Sequence, residues 1–277
     1  MQLQQGFAPD EMGFRVRLHG SNPEPPMSAL GQKRTSAHVQ AMSALPPKAD
    51  ISDVLRLYLF MSGKPGFFEG TEMPTAGWWE ALWPDPAGVL ARIGLKPGME
   101  VIDLCSGDGW FTLQIARIAR HVAAIDIDPT LLEVARVRLM EAGVTNCSFI
   151  VGDAYDITRL WPEPVDLVFM ANAFHGVPDP ARLAMAVKAV LKPGGRFAIV
   201  NWHARPRERT TILGEPRGPK TELRLTPEKT IEAVKIDGLK FSMLIEIPPY
   251  HYGAIFERSP SPTLVERLRR LERGPEE

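Results

Sequence analysis

The sequence predicts a doubly wound α/β domain, with a seven-stranded, mostly parallel sheet, helices on both faces and an antiparallel final hairpin. Three observations predict it. From residue 86 onward, apolar runs of strand length alternate with helical periods, the pattern of βα units in a parallel sheet. Four helices open on one dipeptide signal, a capping side chain and then proline: Asp85-Pro86, Asp128-Pro129, Asp179-Pro180 and Thr226-Pro227. The last two apolar runs are joined only through Pro248-Pro249, too short for a crossover, so they form a hairpin.

In chain order the strands are 100–105, 121–126, 147–151, 165–171, 195–201, 239–247 and 251–257. The first five alternate with helices, so they run parallel with right-handed crossovers and both faces covered. At each helix start the cap oxygen accepts an orphan backbone N–H. Proline at the first helical position loses nothing, because its missing donor has no partner there. "LKPG" at 95 and again at 191 reads as a type II turn leading into a strand.

The domain is expected over residues 61–258. Residues 1–60 show no sustained period and repeat "MSAL" at 27 and 42, so they are read as a disordered or non-authentic extension, with Met61 opening the domain. "ISDVLRLYLF" (51–60) is apolar enough for a short helix. Residues 259–277 are a charged tail, with Leu264, Leu268 and Leu271 on one side of a possible short helix. A formal net charge of −1 lacks the basic excess that nucleic acid demands. No apolar run approaches the roughly 18 residues of a membrane span, and no secretory pattern opens the chain. These features predict a cytoplasmic protein without membrane or nucleic-acid partners. Cys105 and Cys147 fall in predicted strands as small buried hydrophobes, and no spacing suggests a metal site or a disulfide framework.

The stretch "VIDLCSGDGWFTLQIA" (101–116) is the loop after the first strand. In a doubly wound sheet the ligand lies at the carboxyl ends of the strands, where strand order reverses. A dinucleotide site would offer G-x-G-x-x-G; here Gly107 and Gly109 are followed by Thr112. Asp103 precedes the loop, Asp108 lies inside it and Asp126 ends the second strand. Such carboxylates repel a pyrophosphate: a unit-charge pair at ~4 Å is worth about 1 kcal/mol in water and about 4 at an effective dielectric of 20. The loop suits a cationic ligand.

"VIDLCSGDG", "AAIDID", "VGDA", "VDLVFMANAFHGVPD" and "LKPGGRFAIVNW" follow one another at ordinary spacing. In this order they resemble the successive motifs of class I S-adenosylmethionine-dependent methyltransferases, over roughly residues 65–257. The resemblance implies the Rossmann-like methyltransferase fold, S-adenosyl-L-methionine as cofactor, and a set of cofactor residues. Gly107 and Gly109 let the backbone approach the methionine portion, and Asp103 lies near its ammonium. Asp126 takes the ribose hydroxyls, Ile127 lies against adenine, and Asp153 receives the adenine amino group beside Ala154. Asn172, at the end of the fourth strand, joins the cofactor set. Asp128 is a helix cap first and is left out.

At the same end of the sheet, His175, Trp202, His203, Tyr250 and His251 are expected to crown the strands. The three histidines and Tyr250 are the candidates for a general base, since an unperturbed histidine titrates near pH 6.5. Trp202 and Arg224 are the expected substrate contacts. The Arg- and Pro-rich stretch 203–225 reads as a substrate lid carrying an anion-recognising arginine. Trp78, Trp79 and Trp83 read as packing rather than as a cation cage. The expected activity is methyl transfer to a small-molecule acceptor by in-line displacement. A nicotinamide-linked oxidoreductase and a non-catalytic S-adenosylmethionine-binding protein are the alternatives.

Overall fold

The computed structural model describes residues 75–260. The expectations for residues 1–74 and for the leucine-bearing tail fall outside the described residues.

Seven strands form one sheet in the order β3-β2-β1-β4-β5-β9-β8. They are β1 (Glu100–Leu104), β2 (His121–Asp126), β3 (Cys147–Val151), β4 (Val165–Ala171), β5 (Leu191–Trp202), β8 (Leu239–Ile247) and β9 (His251–Arg258). β1 to β5 pair in parallel, and β9 lies antiparallel between β5 and β8. Strand order reverses between β1 and β4, which places the binding crevice beside the loop after β1. Two short strands, β6 (Thr211–Ile212) and β7 (Glu215–Pro216), make a separate hairpin within the expected lid.

The helices are α1 (Ala76–Leu82), α2 (Pro86–Arg92), α3 (Trp110–Ala116), α4 (Pro129–Glu141), α5 (Ile157–Leu160), α6 (Pro180–Val190) and α7 (Pro227–Ala233). All four cap-proline signals mark real starts. Asp85, Asp128, Asp179 and Thr226 each accept a backbone N–H from the first turn, with proline at the head of α2, α4, α6 and α7. One element differs from expectation. The second "LKPG" does not precede β5 but interrupts it: Val165 pairs with Leu191 and Leu167 with Arg196, so Lys192–Gly195 bulge out of the ladder. Gly194 turns this corner at a φ of +76°.

Successive strand residues point to opposite faces and so feed two cores. Val101, Phe169 and Val200 join one core with the tryptophans of α1, whereas Ile102, Val168 and Ile199 join the other with Leu183 and Val187 of α6. Both faces are covered, as a parallel sheet requires.

Asp85 lies far in sequence from the glycine loop, and its carboxylate accepts Gly88 N–H at 2.9 Å. Asp85→Ala is expected to destabilise the domain by about 1 kcal/mol in urea unfolding, the usual cost of a lost cap. Ligand affinity is expected to stay unchanged.

Candidate active site

The loop after β1 is built from left-handed backbone. Cys105, Gly107 and Gly109 have φ values of 60°, 55° and 75°. Cys105 is therefore not a strand residue, as its sequence position suggested; it forms the first corner of the loop. At Gly109 a Cβ would stand 2.5 Å from the Cβ of Ala135 and 2.9 Å from its Cα. That glycine lets the loop and the start of α3 press against α4.

The three acids of this region divide their work. Asp126, 9% exposed, accepts Gly107 N–H at 2.8 Å on one oxygen and Asp128 N–H at 2.9 Å on the other, so it ties the first loop to the second. Asp103 is buried beneath the loop and accepts the Thr112 hydroxyl at 2.5 Å. Burial pushes its pKa up to about 7, against the lowering effect of the Thr112 bond and with added repulsion from Asp126 and Asp108. Thr112, which breaks the dinucleotide pattern, thus serves Asp103. Asp108 does not add to the field of the loop: Arg138 of α4 meets it at 2.7 Å in a nearly enclosed ion pair. The acidic character read from three aspartates rests on two.

A cleft opens at the ends of β1, β2 and β4, with Leu104, Ile125 and Met170 among its apolar walls. It brings together four of the expected cofactor residues: Asp126, Ile127, Asp153 and Ala154. Ile127 is 50% exposed, a large apolar side chain left open on a cleft wall. Asp153 also accepts Tyr155 N–H at 2.9 Å, so it caps its own turn. Tyr155 lines the cleft and was missed from sequence; its hydroxyl accepts Asp179 N–H at 2.8 Å, and Arg182 lies over its ring at 4.4 Å. Both partners lie more than twenty residues downstream, so no local pattern marks it. Asp103, Gly107, Gly109 and Asn172 do not line this cleft.

At the far side of the crevice β4, β5 and β9 end in polar residues. His251 Nε2 lies 2.9 Å from Asn172 Oδ1, and His175 Nδ1 lies 3.4 Å from Asn201 Oδ1. His251 is 1% exposed, and burial, with His203 and Arg224 nearby, holds its pKa well below the ordinary value. His251 is thus the most enclosed of the histidines expected as general bases. His203 turns away to the carboxylate of Glu246, at 2.9 Å. His175 is partly exposed, and its pKa is lowered by burial despite the bond to Asn201.

Trp202 and Arg224, the expected substrate contacts, are both buried. Trp202 is 2% exposed, packed against Tyr250, His251 and Trp78. Arg224 lies over Trp202 and spends its donors on the carbonyls of Arg205, Arg217 and Pro219 and on the Thr210 hydroxyl. It is the buried brace of the 203–225 segment, whose own backbone consumes the guanidinium that sequence assigned to an anion. Tyr250 is likewise a brace, donating its hydroxyl to Thr211 O at 3.0 Å. Trp78, Trp79 and Trp83 pack with Trp110 and Phe111. Among the described residues, no group of three or more His, Cys, Asp or Glu is placed to hold a metal ion, and no helix is long and apolar enough to cross a membrane.

Residues 95–222, just under half of the chain, match the family model described as a methyltransferase domain. The ubiquinone biosynthesis O-methyltransferase of Xylella fastidiosa (strain 9a5c) is 32% identical over 134 residues, 45% of this chain and 54% of that protein. The protein of that name from Xanthomonas campestris pv. campestris (strain B100) is 32% identical over 139 residues, 47% of this chain and 57% of the relative. The chain thus spans about half the length of these curated relatives. A SAM-dependent methyltransferase from Aquifex aeolicus superposes with a TM-score of 0.58 at 23% identity, covering 76% of this chain and all of that one. The [4+2]-cyclase SpnF shares the fold at a TM-score of 0.54 and 18% identity, over 78% of this chain and 99% of its own. Residues 95–222 are thus similar to a methyltransferase domain, and the fold is shared with a protein that depends on S-adenosylmethionine. The cleft fits that group: an apolar slot with an open Ile127, one carboxylate at the end of β2 and another after β3 suit an adenosine, and nothing in it invites a pyrophosphate.

Asp103 supplies a signed test. Its folded pKa, about 7, stands above the ordinary 3.8, so folding favours the protonated form. The stability this confers is fully present below pH 4 and is lost as pH rises to 7, with no further loss above. Asp103→Asn removes the penalty. The variant is expected to melt higher than the parent at pH 8 without cofactor, by a margin that grows between pH 4 and 7 and then levels. Melting curves of the pair across pH 4–9 check this; a constant difference refutes it.

Proposed function

We propose that the protein transfers a methyl group from S-adenosylmethionine to a small-molecule acceptor by in-line displacement. The observation that carries this reading is the cleft at the reversal of strand order, where Asp126, Ile127, Asp153 and Ala154 converge. The cofactor, when bound, supplies a methyl group on a positively charged sulfur. The chain's own part is largely alignment in a dry pocket, worth more than proton transfer in such a displacement. Asp126 orients the sugar through its carboxylate, and Asp103, under the loop, favours the ammonium. Gly107 keeps the backbone open beside them.

The name of the curated relatives, O-methyltransferases, supports an oxygen nucleophile. His175 is the histidine best placed to assist it: neutral near pH 7, partly exposed, and held by Asn201 at the end of β5. The expected general base thereby narrows from four residues to one.

Calorimetric titration tests the cofactor site. S-adenosylmethionine and S-adenosylhomocysteine are expected to bind, and NAD(H) and NADP(H) are not. Asp126→Ala is expected to weaken binding by about 1.5–3 kcal/mol, tenfold to over a hundredfold, through its lost charged hydrogen bonds. Methyl-labelled cofactor with hydroxylated aromatic compounds then tests transfer: label moving to an oxygen supports the reading. Binding without label transfer to any metabolite of an extract would identify a cofactor-binding protein instead.

Asp103 adds a pH readout. Affinity for S-adenosylhomocysteine is expected to rise between pH 6 and 7, as the carboxylate ionises to meet the ammonium, and this rise is expected to vanish in Asp103→Asn. A rise of the same size in both proteins would assign it to another group.

A further inference from the structure

His251 begins β9, where it pairs across the ladder with Trp202 of β5. Its ring is held edge-on to Trp83 at 4.9 Å and tilted against Trp202 at 4.2 Å, which fixes its plane. Its Nε2 is hydrogen-bonded to Asn172 Oδ1 at 2.9 Å, across 79 residues of sequence. Asn172 stands at the end of β4, beside β1 and its glycine loop, with a φ of 57° that few non-glycine residues adopt. Its Nδ2 is buried without a partner among the described residues, and so is Nδ1 of His251.

These two orphan atoms decide the proton. If Nε2 carries the hydrogen, it donates to Asn172 Oδ1, His251 Nδ1 keeps only a bare lone pair, and the Asn172 N–H groups are left to donate elsewhere. The reverse arrangement would bury an imidazole Nδ1–H with no acceptor, and buried N–H groups without partners are rarer than lone pairs without them. A donor buried without an acceptor calls for a ligand that supplies one.

We propose that His251 is a positioning residue: by donating from Nε2 to Asn172 Oδ1, it turns the carboxamide so that Nδ2–H serves the carboxylate of the cofactor's amino-acid end. The inference rests on the cofactor reading given above. It assigns to His251 a role that requires no proton exchange, in keeping with its enclosure by two tryptophans.

The test uses the whole chain. S-adenosylhomocysteine and 5′-methylthioadenosine, which lacks the amino-acid end, are titrated into the parent, His251→Phe and His251→Gln. His251→Phe keeps the ring between the tryptophans and removes the donor; His251→Gln restores a donor. His251→Phe is expected to bind S-adenosylhomocysteine about fivefold to tenfold more weakly, the effect of one misdirected hydrogen bond, with methylthioadenosine affinity unchanged. His251→Gln is expected to recover most of the loss. Nitrogen-15 NMR of the parent is expected to show the neutral Nε2–H tautomer. Equal weakening of both ligands marks a merely structural role and overturns the proposal, as does an unchanged affinity or an Nδ1–H tautomer. If the parent binds neither ligand the cofactor reading fails, while the tautomer still decides the hydrogen bond; if a variant does not fold, the parent's tautomer decides it likewise.

Discussion

The site hangs on one carboxylate. Asp126 takes Gly107 N–H on one oxygen and Asp128 N–H on the other, and these two backbone groups belong to the loops after β1 and β2. A carboxylate with so little exposure is costly to bury, and burial raises its pKa against the pull of those same hydrogen bonds. The bonds set the spacing of the two loops, and that spacing is the mouth of the cleft. Asp128, held at its backbone by Asp126, caps α4 with its side chain, accepting Thr130 and Leu131 N–H. Loop, helix start and cleft wall are therefore one connected unit.

Behind this unit the other acids show how a cationic site is kept foldable. Asp108 is neutralised by Arg138, a buried pair whose disruption would leave a lone charge inside the protein. Among the described residues Asp103 meets the Thr112 hydroxyl and no cation, and its raised pKa records the imbalance. One acid is thus settled by the fold and the other is not. Stability and binding pull against each other at Asp103, as is common where a site is built in advance of its ligand.

Much of this was legible in sequence, because it depends on local rules. The four cap-proline pairs, the alternation of strands and helices, and the Pro248-Pro249 hairpin each rest on residues a few positions apart, and the structure places all of them as expected. The cleft residues follow the ends of β2 and β3, so fixing those strand ends also located Asp126, Ile127, Asp153 and Ala154. What sequence did not show is where a long side chain spends its polar atoms. Arg138 finds Asp108 from thirty residues away, and Tyr155 finds Asp179. Arg224 turns into its own segment rather than out to a substrate, because the tight course of residues 205–219 leaves carbonyls that need donors. Counting arginines in a loop cannot distinguish these two fates.

The braced lid bears on the chemistry at the crevice. Arg224 is a buried cation that donates to carbonyls and a hydroxyl, and burial together with Arg207 lowers its pKa to about 10. It remains charged at neutral pH, and its field reaches both His175 and His251, lowering each. A positive field at this end keeps His175 neutral and so able to accept a proton, and it favours an acceptor that arrives as, or becomes, an oxyanion. The same field is unhelpful to a sulfonium alone, which is why the carboxylates of the opposite loop matter. Positive charge on one side of the crevice and negative charge on the other give it a polarity that suits the methyl transfer proposed above, from a cationic sulfur to an electron-rich oxygen. Asp103 and Asp126 supply the negative side and Arg224 the positive one, so on that proposal the brace of the segment acts through its field alone.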